Sequence, residues 1–260
     1  MRNYSCHIRG FLALLSFLTI IPTKIHDVFL AAEYFHLVPI VGLIEGVIVV
    51  LPLFIPIPSM MKAVLALLIF YILTGFNHLD GFADFIDALA SRRKNEEALK
   101  IMKEPWRGTM AIVSTTLLII ITYASLTVLV DVENKWYYIV ILAQVLAFES
   151  AFILAILSNP PTYQGLGKLF ITKAKRPRKI IANIILMLII TSLILLFYNL
   201  SLVKILILIV MTTATLLTVL YAYIESHRVL GYSTGDVLGF CLELSRSTNL
   251  LIASILLSVG

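Results

Sequence analysis

Three aspartates in the stretch NHLDGFADFIDAL, namely Asp80, Asp84 and Asp87, have the spacing i, i+4, i+7. On an α-helix, which turns about 100° per residue, side chains at these positions share one face. Like charges so placed repel each other, and the repulsion grows near a low-dielectric boundary. A hard cation such as Mg²⁺ binds carboxylate oxygens and often shares its shell with substrate phosphates. The spacing therefore predicts a magnesium site, with a solvated acidic helix end as the alternative.

A second acidic element begins at Thr234-Gly235-Asp236, just before an apolar helical run. On that helix Asp236 and Glu243 share a face, with Gly239 between them. A helix N-terminus also favours phosphate. We expect this helix to add an acidic group for a metal or for a substrate hydroxyl. The alternative is that Thr234 or Asp236 only caps the helix.

Basic and imidazole side chains accompany these acids. Lys100, Lys103 and Arg107 have the spacing i, i+3, i+7, which favours a basic stripe that binds a nucleotide diphosphate. Contact with lipid headgroups is the alternative for this stripe. His78 lies nearly opposite the aspartates on their helix, and it is a candidate either for a substrate hydrogen bond or for a structural histidine at the membrane boundary. The stretch GLGK lacks the full pattern of a phosphate-binding loop.

The composition defines the class of protein that must position these groups. The chain has 260 residues, of which 60% are hydrophobic and 13% are charged, and its mean hydropathy is +0.99. Soluble domains are about half apolar and about a quarter charged. We therefore predict an all-α, polytopic membrane helix bundle, with residues 1–260 forming a single membrane domain. The net charge of +5 follows from that class and indicates no nucleic-acid partner.

Crossing the hydrocarbon takes about 20 apolar residues. About six to seven spans are predicted, after a short N-terminal segment, Ile8–Ile21, that suits a re-entrant or interfacial helix. The last predicted span is short, so we expect that it either recruits part of the helix that begins near Asp236 or is only half-buried. The predicted spans are Leu37–Ile55, Met60–Phe76, Met110–Val130, Trp136–Leu157, Ile180–Tyr198, Leu202–Ile224 and Asn249–Val259.

Lysine and arginine concentrate in the long connections, with six in residues 77–109 and six in residues 158–179. Because positive loops mark the cytoplasmic side, the three long segments 77–109, 159–180 and 225–248 are predicted to face the cytoplasm together. The protein is expected in the cell membrane. The run KAKRPRK, Lys173–Lys179, is interpreted chiefly as a topology signal, with substrate capture as the alternative. Glu45 and Glu149 lie inside predicted spans and are expected to face the bundle interior.

Five motifs in chain order are similar to those of the cobalamin synthase family, also called adenosylcobinamide-GDP ribazoletransferase. They are SFLTIIP, PIVGLIEG, HLDGFAD followed by EALKIMKEPWRGT, GLGKLF, and GYSTGDVLGFCLEL. The resemblance runs the length of the chain, and its HLDG and TGDxLG pieces are the most specific. Glu104 stands where the family commonly has aspartate, and Arg107 is displaced by one position from the family's arginine.

The resemblance implies that the cobinamide-phosphate moiety of adenosylcobinamide-GDP is transferred to α-ribazole or its 5′-phosphate, with release of GMP. Mg²⁺ is the implied cofactor, membrane lipid surrounds the chain, and a homo-oligomer is possible. The residues expected to do the chemistry are Asp80, Asp84 and Asp236, and which acid accepts the proton stays open. Binding is expected to involve His78, Lys100, Lys103, Arg107, Thr234 and Glu243.

Three other functions fit some of the same features. A phosphotransferase of the CDP-alcohol type also places aspartates at a membrane face, but the second half of its motif is missing here. A divalent-cation or proton-coupled transporter would hold its site near the midplane of paired repeats, and no internal repeat is visible. A structural membrane subunit would leave the acids without a role.

Overall fold

The computed structural model describes residues 2–132, 137–197 and 201–259, and for residues 2–5 and 259 it describes the backbone alone. Within those ranges the chain forms twelve α-helices, two short 3₁₀ turns and no strand. The α-helices are α1 (Arg2–Leu18), α2 (Val28–Glu33), α3 (Val38–Val50), α4 (Ser59–Leu73), α5 (Asn77–Ser91), α6 (Asn95–Met102), α7 (Thr109–Asp131), α8 (Tyr137–Leu157), α9 (Leu166–Ala174), α10 (Pro177–Phe197), α11 (Leu202–Val229) and α12 (Gly235–Val259).

The helices long and apolar enough to cross a membrane agree with the prediction of six to seven spans. Six are found in the described part of the chain, and a seventh is possible if the bent pair α4 and α5 counts as one. The first comprises α3 with its flanking 3₁₀ turns, Phe35–Phe54. The last predicted span does recruit the helix that begins beside Asp236, because α12 is continuous from Gly235 to Val259. The predicted ends Trp136 and Tyr198 lie outside the described residues.

The predicted span Met60–Phe76 extends three residues beyond the C-terminal end of its helix. Helix α4 stops at Leu73, and α5 leaves it at an angle of 84°. Gly75 and Phe76 both adopt positive φ, of +59° and 60°, which ends the helix and turns the chain. Glycine adopts this region at no steric cost, whereas a phenylalanine there is unusual. The aspartate helix is therefore a separate element with its own direction.

Helix α8 forms the centre of the bundle. Of its most apolar 18-residue window, 89% is buried inside the protein, compared with 17% for α10, which lies at the periphery. Helix α3 approaches α8 closely because Gly42 and Gly46 have no side chain. A Cβ on Gly42 would lie 2.9 Å from the carbonyl oxygen of Gln144, and one on Gly46 would lie 2.8 Å from the Cα of Ile141. Small residues commonly permit such close contact between membrane helices.

Three of the five basic side chains in the run Lys173–Lys179 contact one carboxylate at the end of α2. Glu33 forms ion pairs with Lys173 at 2.8 Å and with Arg176 and Lys179 at 2.6 Å each. Burial by itself raises the pKa of Glu33, but hydrogen bonds and charge from Lys173 and Lys179 outweigh it and lower the pKa to about 2. These three cations hold α2 against the junction of α9 and α10, a structural role that the sequence did not indicate.

Candidate active site

Helices α5 and α12 touch backbone to backbone, and two glycines make this possible. A Cβ on Gly81 would lie 2.8 Å from the carbonyl oxygen and 2.9 Å from the Cα of Asp236. A Cβ on Gly239 would lie 3.2 Å from the Cα and from the carbonyl oxygen of His78. Real Cβ atoms rarely approach so closely, because protein interiors are already close-packed. The glycines of the HLDG and TGDxLG motifs therefore bring the start of α12 beside the aspartate helix.

Two of the three predicted aspartates meet one arginine. The guanidinium of Arg107 donates a hydrogen bond to Asp80 and lies 2.5 Å from Oδ1 of Asp84. Asp84 is nearly buried, with its side chain 10% exposed, whereas the Asp80 side chain is 62% exposed. Burial alone lowers the pKa of Arg107, but the charges of Asp80 and Asp84 outweigh it and raise the pKa. Arg107 is therefore a permanent cation within the acidic face.

Asp87 has different partners from those of Asp80 and Asp84. Its Oδ2 accepts a hydrogen bond of 2.8 Å from the N–H of Gly108, and its Oδ1 accepts one of 3.3 Å from the N–H of Ala111. These donors belong to the first turn of α7, where backbone N–H groups lack intrahelical partners. A carboxylate at that end is also favoured by the helix dipole. Asp87 thus fastens α5 to the start of α7, and its predicted role as a metal ligand stays a prediction.

The predicted basic stripe does not form. Helix α6 ends at Met102, so Lys103 terminates it and Arg107 lies in the following loop, where it turns back to α5. Lys100 lies on α6 and is exposed. The spacing i, i+3, i+7 aligns side chains only on a continuous helix, and this helix is too short. Arg107 nevertheless reaches the acidic face, by a loop conformation rather than by helical periodicity.

The three long loops contact one another around this face, as the sequence suggested. The ammonium of Lys103 lies 4.9 Å above the ring of Tyr163, and that ring packs edge-on against Tyr232 at 6.1 Å. These contacts connect segments 77–109, 159–180 and 225–248. Burial, with the nearby Tyr232 and Asp236, raises the pKa of Tyr163 to about 12, so its phenol stays protonated at neutral pH.

At the start of α12, Thr234 and Asp236 divide the two roles considered for them. The hydroxyl of Thr234 accepts a hydrogen bond of 3.3 Å from the N–H of Val237, which identifies Thr234 as the cap. Asp236 is exposed, and its carboxylate is 3.5 Å from the Thr234 hydroxyl. The capping alternative is therefore confirmed for Thr234, while the Asp236 carboxylate remains available to a substrate.

A cavity of about 430 Å³ opens beside Asp236. It lies between α1, α5, α8, α9 and α12, and both His78 and Thr234 line it. The ring of His78 packs edge-on against Phe148 at 5.8 Å, also in the cavity wall. The GLGKLF motif contributes Gly167, which lets α9 lie against the start of α12. A Cβ on Gly167 would lie 2.7 Å from the backbone nitrogen of Gly235. The motif therefore closes one side of this cavity.

Glu243 does not join the other candidate site residues. It is 1% exposed and pairs with Arg246, one turn further along α12, which is equally buried. The Arg246 guanidinium lies 4.7 Å from the ring centre of Phe70. The predicted binding role of Glu243 has no support in this geometry. Helical periodicity indicates which face of a helix a residue occupies, but not how deeply that residue is buried. Arg246 was not among the predicted site residues, although an acid and an arginine spaced i, i+3 in an apolar helix are a signal for such a pair.

The two acids predicted inside spans are also paired in the interior. Glu45 accepts a hydrogen bond of 2.6 Å from the side-chain amide of Gln144. Glu149 accepts one of 3.0 Å from the amide of Asn183. Both acids are buried, which agrees with the expectation that ionisable groups in spans face the bundle interior.

The acidic face has the donor type that magnesium prefers. Asp80 and Asp84 offer carboxylate oxygens, and Oδ1 of Asp84 is buried with no aligned hydrogen-bond donor among the described residues, so Arg107 meets it only as an ion pair. In residues 2–132, 137–197 and 201–259, no three His, Cys, Asp or Glu side chains converge closely enough to hold a metal ion. Arg107 lies between the two carboxylates instead. The donors fit a hard cation by type, provided that the guanidinium moves aside.

Comparison with known proteins agrees with the resemblance in the motifs. The family model described as cobalamin-5-phosphate synthase matches residues 10–254. A relative from Clostridioides difficile (strain 630), named adenosylcobinamide-GDP ribazoletransferase, is 29% identical over 261 residues, covering 96% of this chain and 98% of the relative. A protein of the same name from Clostridium tetani (strain Massachusetts / E88) is 28% identical over 98% of this chain and 99% of its own length.

A stronger but shorter similarity is found to a third relative. The adenosylcobinamide-GDP ribazoletransferase of Clostridium perfringens (strain SM101 / Type A) is 40% identical over 118 residues, which is 43% of this chain. The match spans 47% of that relative, so the chain covers about half the length of the relative. No solved structure matches the chain.

Proposed function

We propose a function from one premise: the chain belongs to the cobalamin-5-phosphate synthase family. The proposed activity is transfer of the cobinamide-phosphate moiety of adenosylcobinamide-GDP to α-ribazole or its 5′-phosphate. The products are adenosylcobalamin, or its 5′-phosphate, and GMP. The observation that carries the assignment within this structure is the meeting of Asp80, Asp84 and Arg107 next to Asp236, which lines a cavity.

The reaction is a displacement at phosphorus. A ribose hydroxyl of the acceptor forms a new bond to the phosphorus that carries the cobinamide arm. The bond from that phosphorus to the bridging oxygen of the diphosphate breaks, and the oxygen leaves with GMP. The hydroxyl proton passes to a carboxylate of the enzyme. Catalysis of such a transfer depends mainly on positioning and on electrostatic stabilisation.

We assign proton acceptance to Asp236. Asp236 is an exposed residue that lines the cavity, and Thr234 already caps the helix. The close contact of its backbone with Gly81 holds it near the acidic face of α5. A general base must lie within hydrogen-bond reach of the proton that it takes, and this position allows that for a hydroxyl presented from the cavity.

We assign Arg107 and Lys103 to the diphosphate. A guanidinium binds phosphate oxygens in a bidentate manner and stays charged at all physiological pH values. Arg107 is bound to Asp80 and Asp84 in this structure, so the incoming phosphates would compete with these carboxylates for it. Lys103 lies above the ring of Tyr163 and adds positive charge near Asp236. Lys100 is exposed on α6, and we assign it no contact with the diphosphate.

We propose magnesium as the metal, held by Asp80 and Asp84. When bound, the ion neutralises charge on the diphosphate and helps to align the two substrates. Asp87 was included among the predicted ligands, but its oxygens are occupied by the N–H groups of Gly108 and Ala111. We therefore give Asp87 the role of positioning α5 relative to α7.

The proposed location is the cell membrane, with the site at the cytoplasmic face. The support is the concentration of lysine and arginine in the long loops that contact each other around the site. Accessibility labelling of cysteines introduced in the Lys173–Lys179 run, which has no cysteine of its own, tests this orientation. Labelling only after the membrane is made permeable supports it, and labelling from outside in intact cells contradicts it.

The activity itself is tested with purified full-length protein in detergent, supplied with Mg²⁺, adenosylcobinamide-GDP and α-ribazole. We expect GMP release that needs both substrates and stops in EDTA. Asp236→Asn should lower the turnover number strongly while the protein stays folded. No GMP release by the wild type would reject the transferase, and cation flux in liposomes without GMP release would favour a transporter.

A further inference from the structure

The cavity beside Asp236 has walls unlike those of a phosphate site. Its volume of about 430 Å³ falls in the range of small-molecule pockets, roughly 300–1,000 Å³. Five phenylalanine and tyrosine rings line it, and α1, α3, α9 and α12 add aliphatic side chains. The rings are those of Phe17, Phe35, Phe148, Tyr163 and Phe170. Such a surface binds a flat apolar group by stacking and by edge contacts.

One edge of the cavity is polar and is provided by α5 and the start of α12. Asn77, His78, Thr234 and Asp236 lie there. Nε2 of His78 is buried and has no hydrogen-bond partner among the described residues. An unpartnered polar atom that is shielded from water costs free energy unless a ligand or a water satisfies it. His78 thus lines the cavity with part of its side chain, while Nε2 itself lies beneath the cavity surface with no partner in the described part of the chain.

The two proposed substrates differ greatly in size and character. A corrin ring with its side chains is far too large for this volume, whereas a nucleoside with one fused aromatic base fits it. The aromatic wall matches the base, and the polar edge matches the hydroxyls of the ribose. We propose that this cavity is the acceptor site, in which the base of α-ribazole stacks among the aromatic rings and its ribose faces His78 and Asp236. This inference rests on the proposed function.

The position of the cavity relative to the acidic face supports the assignment. Asp236 belongs to both places, because it lines the cavity while its backbone lies against Gly81 on the aspartate helix. A ribose hydroxyl at the polar edge would approach from one side of Asp236. The diphosphate, at Arg107, Asp80 and Asp84, would lie on the other side. The arrangement leaves the bulky corrinoid outside the bundle, where its size is no obstacle.

Tyr163 is the residue that tests the inference most cleanly. It lies in the loop before α9, outside the helices themselves. Its ring lines the cavity, with Lys103 over it at 4.9 Å, and its neighbour Tyr232 does not line the cavity. The two tyrosines therefore form a matched pair, since both are half-buried loop residues of the same type in mutual contact.

The experiment measures binding of α-ribazole to the purified full-length protein by titration calorimetry, without any corrinoid. We expect Tyr163→Ala to raise the dissociation constant for α-ribazole by about tenfold or more, which is the usual effect of losing one ring that stacks on a base. Tyr163→Phe keeps the ring and should stay within about threefold of the wild type. Tyr232→Ala should also stay within about threefold, because it removes an equal ring outside the cavity.

A second variant fills the cavity instead of opening it. Ala151 lines the cavity from α8 and is 5% exposed, so Ala151→Leu would extend into the space for the base. In turnover assays we expect a higher KM for α-ribazole and an unchanged KM for adenosylcobinamide-GDP. Size-exclusion chromatography and thermal unfolding verify that each variant is folded. If Ala151→Leu does not fold, Tyr163→Ala and Tyr232→Ala still decide.

The outcomes separate this inference from the activity. If the wild type releases GMP but folded Tyr163→Ala binds α-ribazole as tightly as the wild type, the acceptor site is elsewhere and the transferase stands. If Tyr163→Ala weakens α-ribazole binding but the wild type releases no GMP from both substrates with Mg²⁺, the cavity assignment stands and the proposed reaction is wrong. Equal weakening by Tyr232→Ala would also overturn the assignment, because it would indicate a general disturbance of the loops.

Discussion

The backbone of Asp236 lies directly against Gly81, so closely that a Cβ at position 81 would be 2.8 Å from the Asp236 carbonyl oxygen. This contact connects the two acidic elements of the site without any bond between their side chains. The relative position of Asp80, Asp84 and Asp236 therefore depends on the absence of a single methyl group.

Gly81→Ala should separate α5 from α12, because the neighbouring atoms are backbone and cannot rotate away. We expect a loss of about 1–3 kcal/mol in the free energy of unfolding, the usual cost of overpacking. GMP release should fall more than stability does, since the carboxylates shift relative to Asp236. Thermal unfolding and turnover are measured together. Gly235→Ala is the control for stability, because a Cβ there meets nothing within 4 Å, and its unfolding temperature should not fall.

Asp84→Asn should lower GMP release by about 100-fold or more, because it removes the buried carboxylate that we assign to the metal. The amide has the same shape, and Arg107 keeps Asp80 as a partner, so the protein should stay folded. Asp131→Asn is the matched control, since Asp131 is exposed at the far end of α7. Near-wild-type turnover in folded Asp84→Asn would remove the metal role from this residue.

A lysine at position 107 should not replace the function of the arginine, so we expect Arg107→Lys to be less active than the wild type. A lysine keeps the charge but cannot contact Asp80 and Asp84, or two phosphate oxygens, with a planar fork. We expect kcat/KM for adenosylcobinamide-GDP to drop by about 100-fold in Arg107→Ala and by less in Arg107→Lys. The KM for α-ribazole should not change in either variant. An equal rise of both KM values would argue that Arg107 only maintains the loop.

Glu33 should make stability depend on pH at acidic values. Its pKa is lowered from 4.5 to about 2 by the lysines around it, so the folded state keeps its charge where the unfolded state is protonated. The stabilisation is thus complete above about pH 4.5 and is lost as the pH falls toward 2. Because the carboxylate is partly exposed, we expect about 1 kcal/mol or less.

The measurement is the unfolding temperature of wild type and Glu33→Gln between pH 7 and pH 3. The difference should be largest at neutral pH and should shrink as the pH falls. Glu97→Gln is the control, because Glu97 pairs with Arg93 on the surface at 3.3 Å and both side chains are mostly exposed. A destabilising effect of Glu33→Gln that grows in acid would contradict a lowered pKa for Glu33.

Arg246→Met should destabilise the protein by about 3–5 kcal/mol, because it leaves Glu243 buried without its counterion. Replacing both partners, with Glu243→Leu and Arg246→Met, should cost less than the single change. Denaturant unfolding in detergent compares the variants. Arg228→Met is the matched control, since Arg228 pairs with Glu225 at the same i, i+3 spacing but is exposed, and its effect should be small. A double variant that is less stable than the single one would contradict this explanation, because removal of the unpaired carboxylate would then bring no relief.

The spans could be predicted because their length and apolar character are set by the bilayer rather than by tertiary detail. Helix α7 begins and ends within one residue of the predicted Met110–Val130. The turn between α4 and α5 could not be predicted, because Phe76 adopts a left-handed conformation that only its surroundings stabilise. Gly75 was the one local signal for it.

The acidic residues of the site could be predicted from the sequence, but the partners that they contact could not. The spacing of Asp80, Asp84 and Asp87 gave their shared helix, yet Asp87 contacts α7 while the other two contact Arg107. Arg107 is 27 residues from Asp80, across a helix and a loop, so no short-range pattern indicates their contact. The long-range pair of Glu33 and Lys179 has no sequence signal for the same reason.

The 84° turn between α4 and α5 affects how a large substrate can approach the aspartate helix. Because the aspartate helix turns away from its predecessor instead of continuing it, Asp80 lies on an element of its own, where its side chain is 62% exposed. We expect a bulky reactant to approach this side chain from outside the helix bundle. Such an approach would need no separation of the spanning helices.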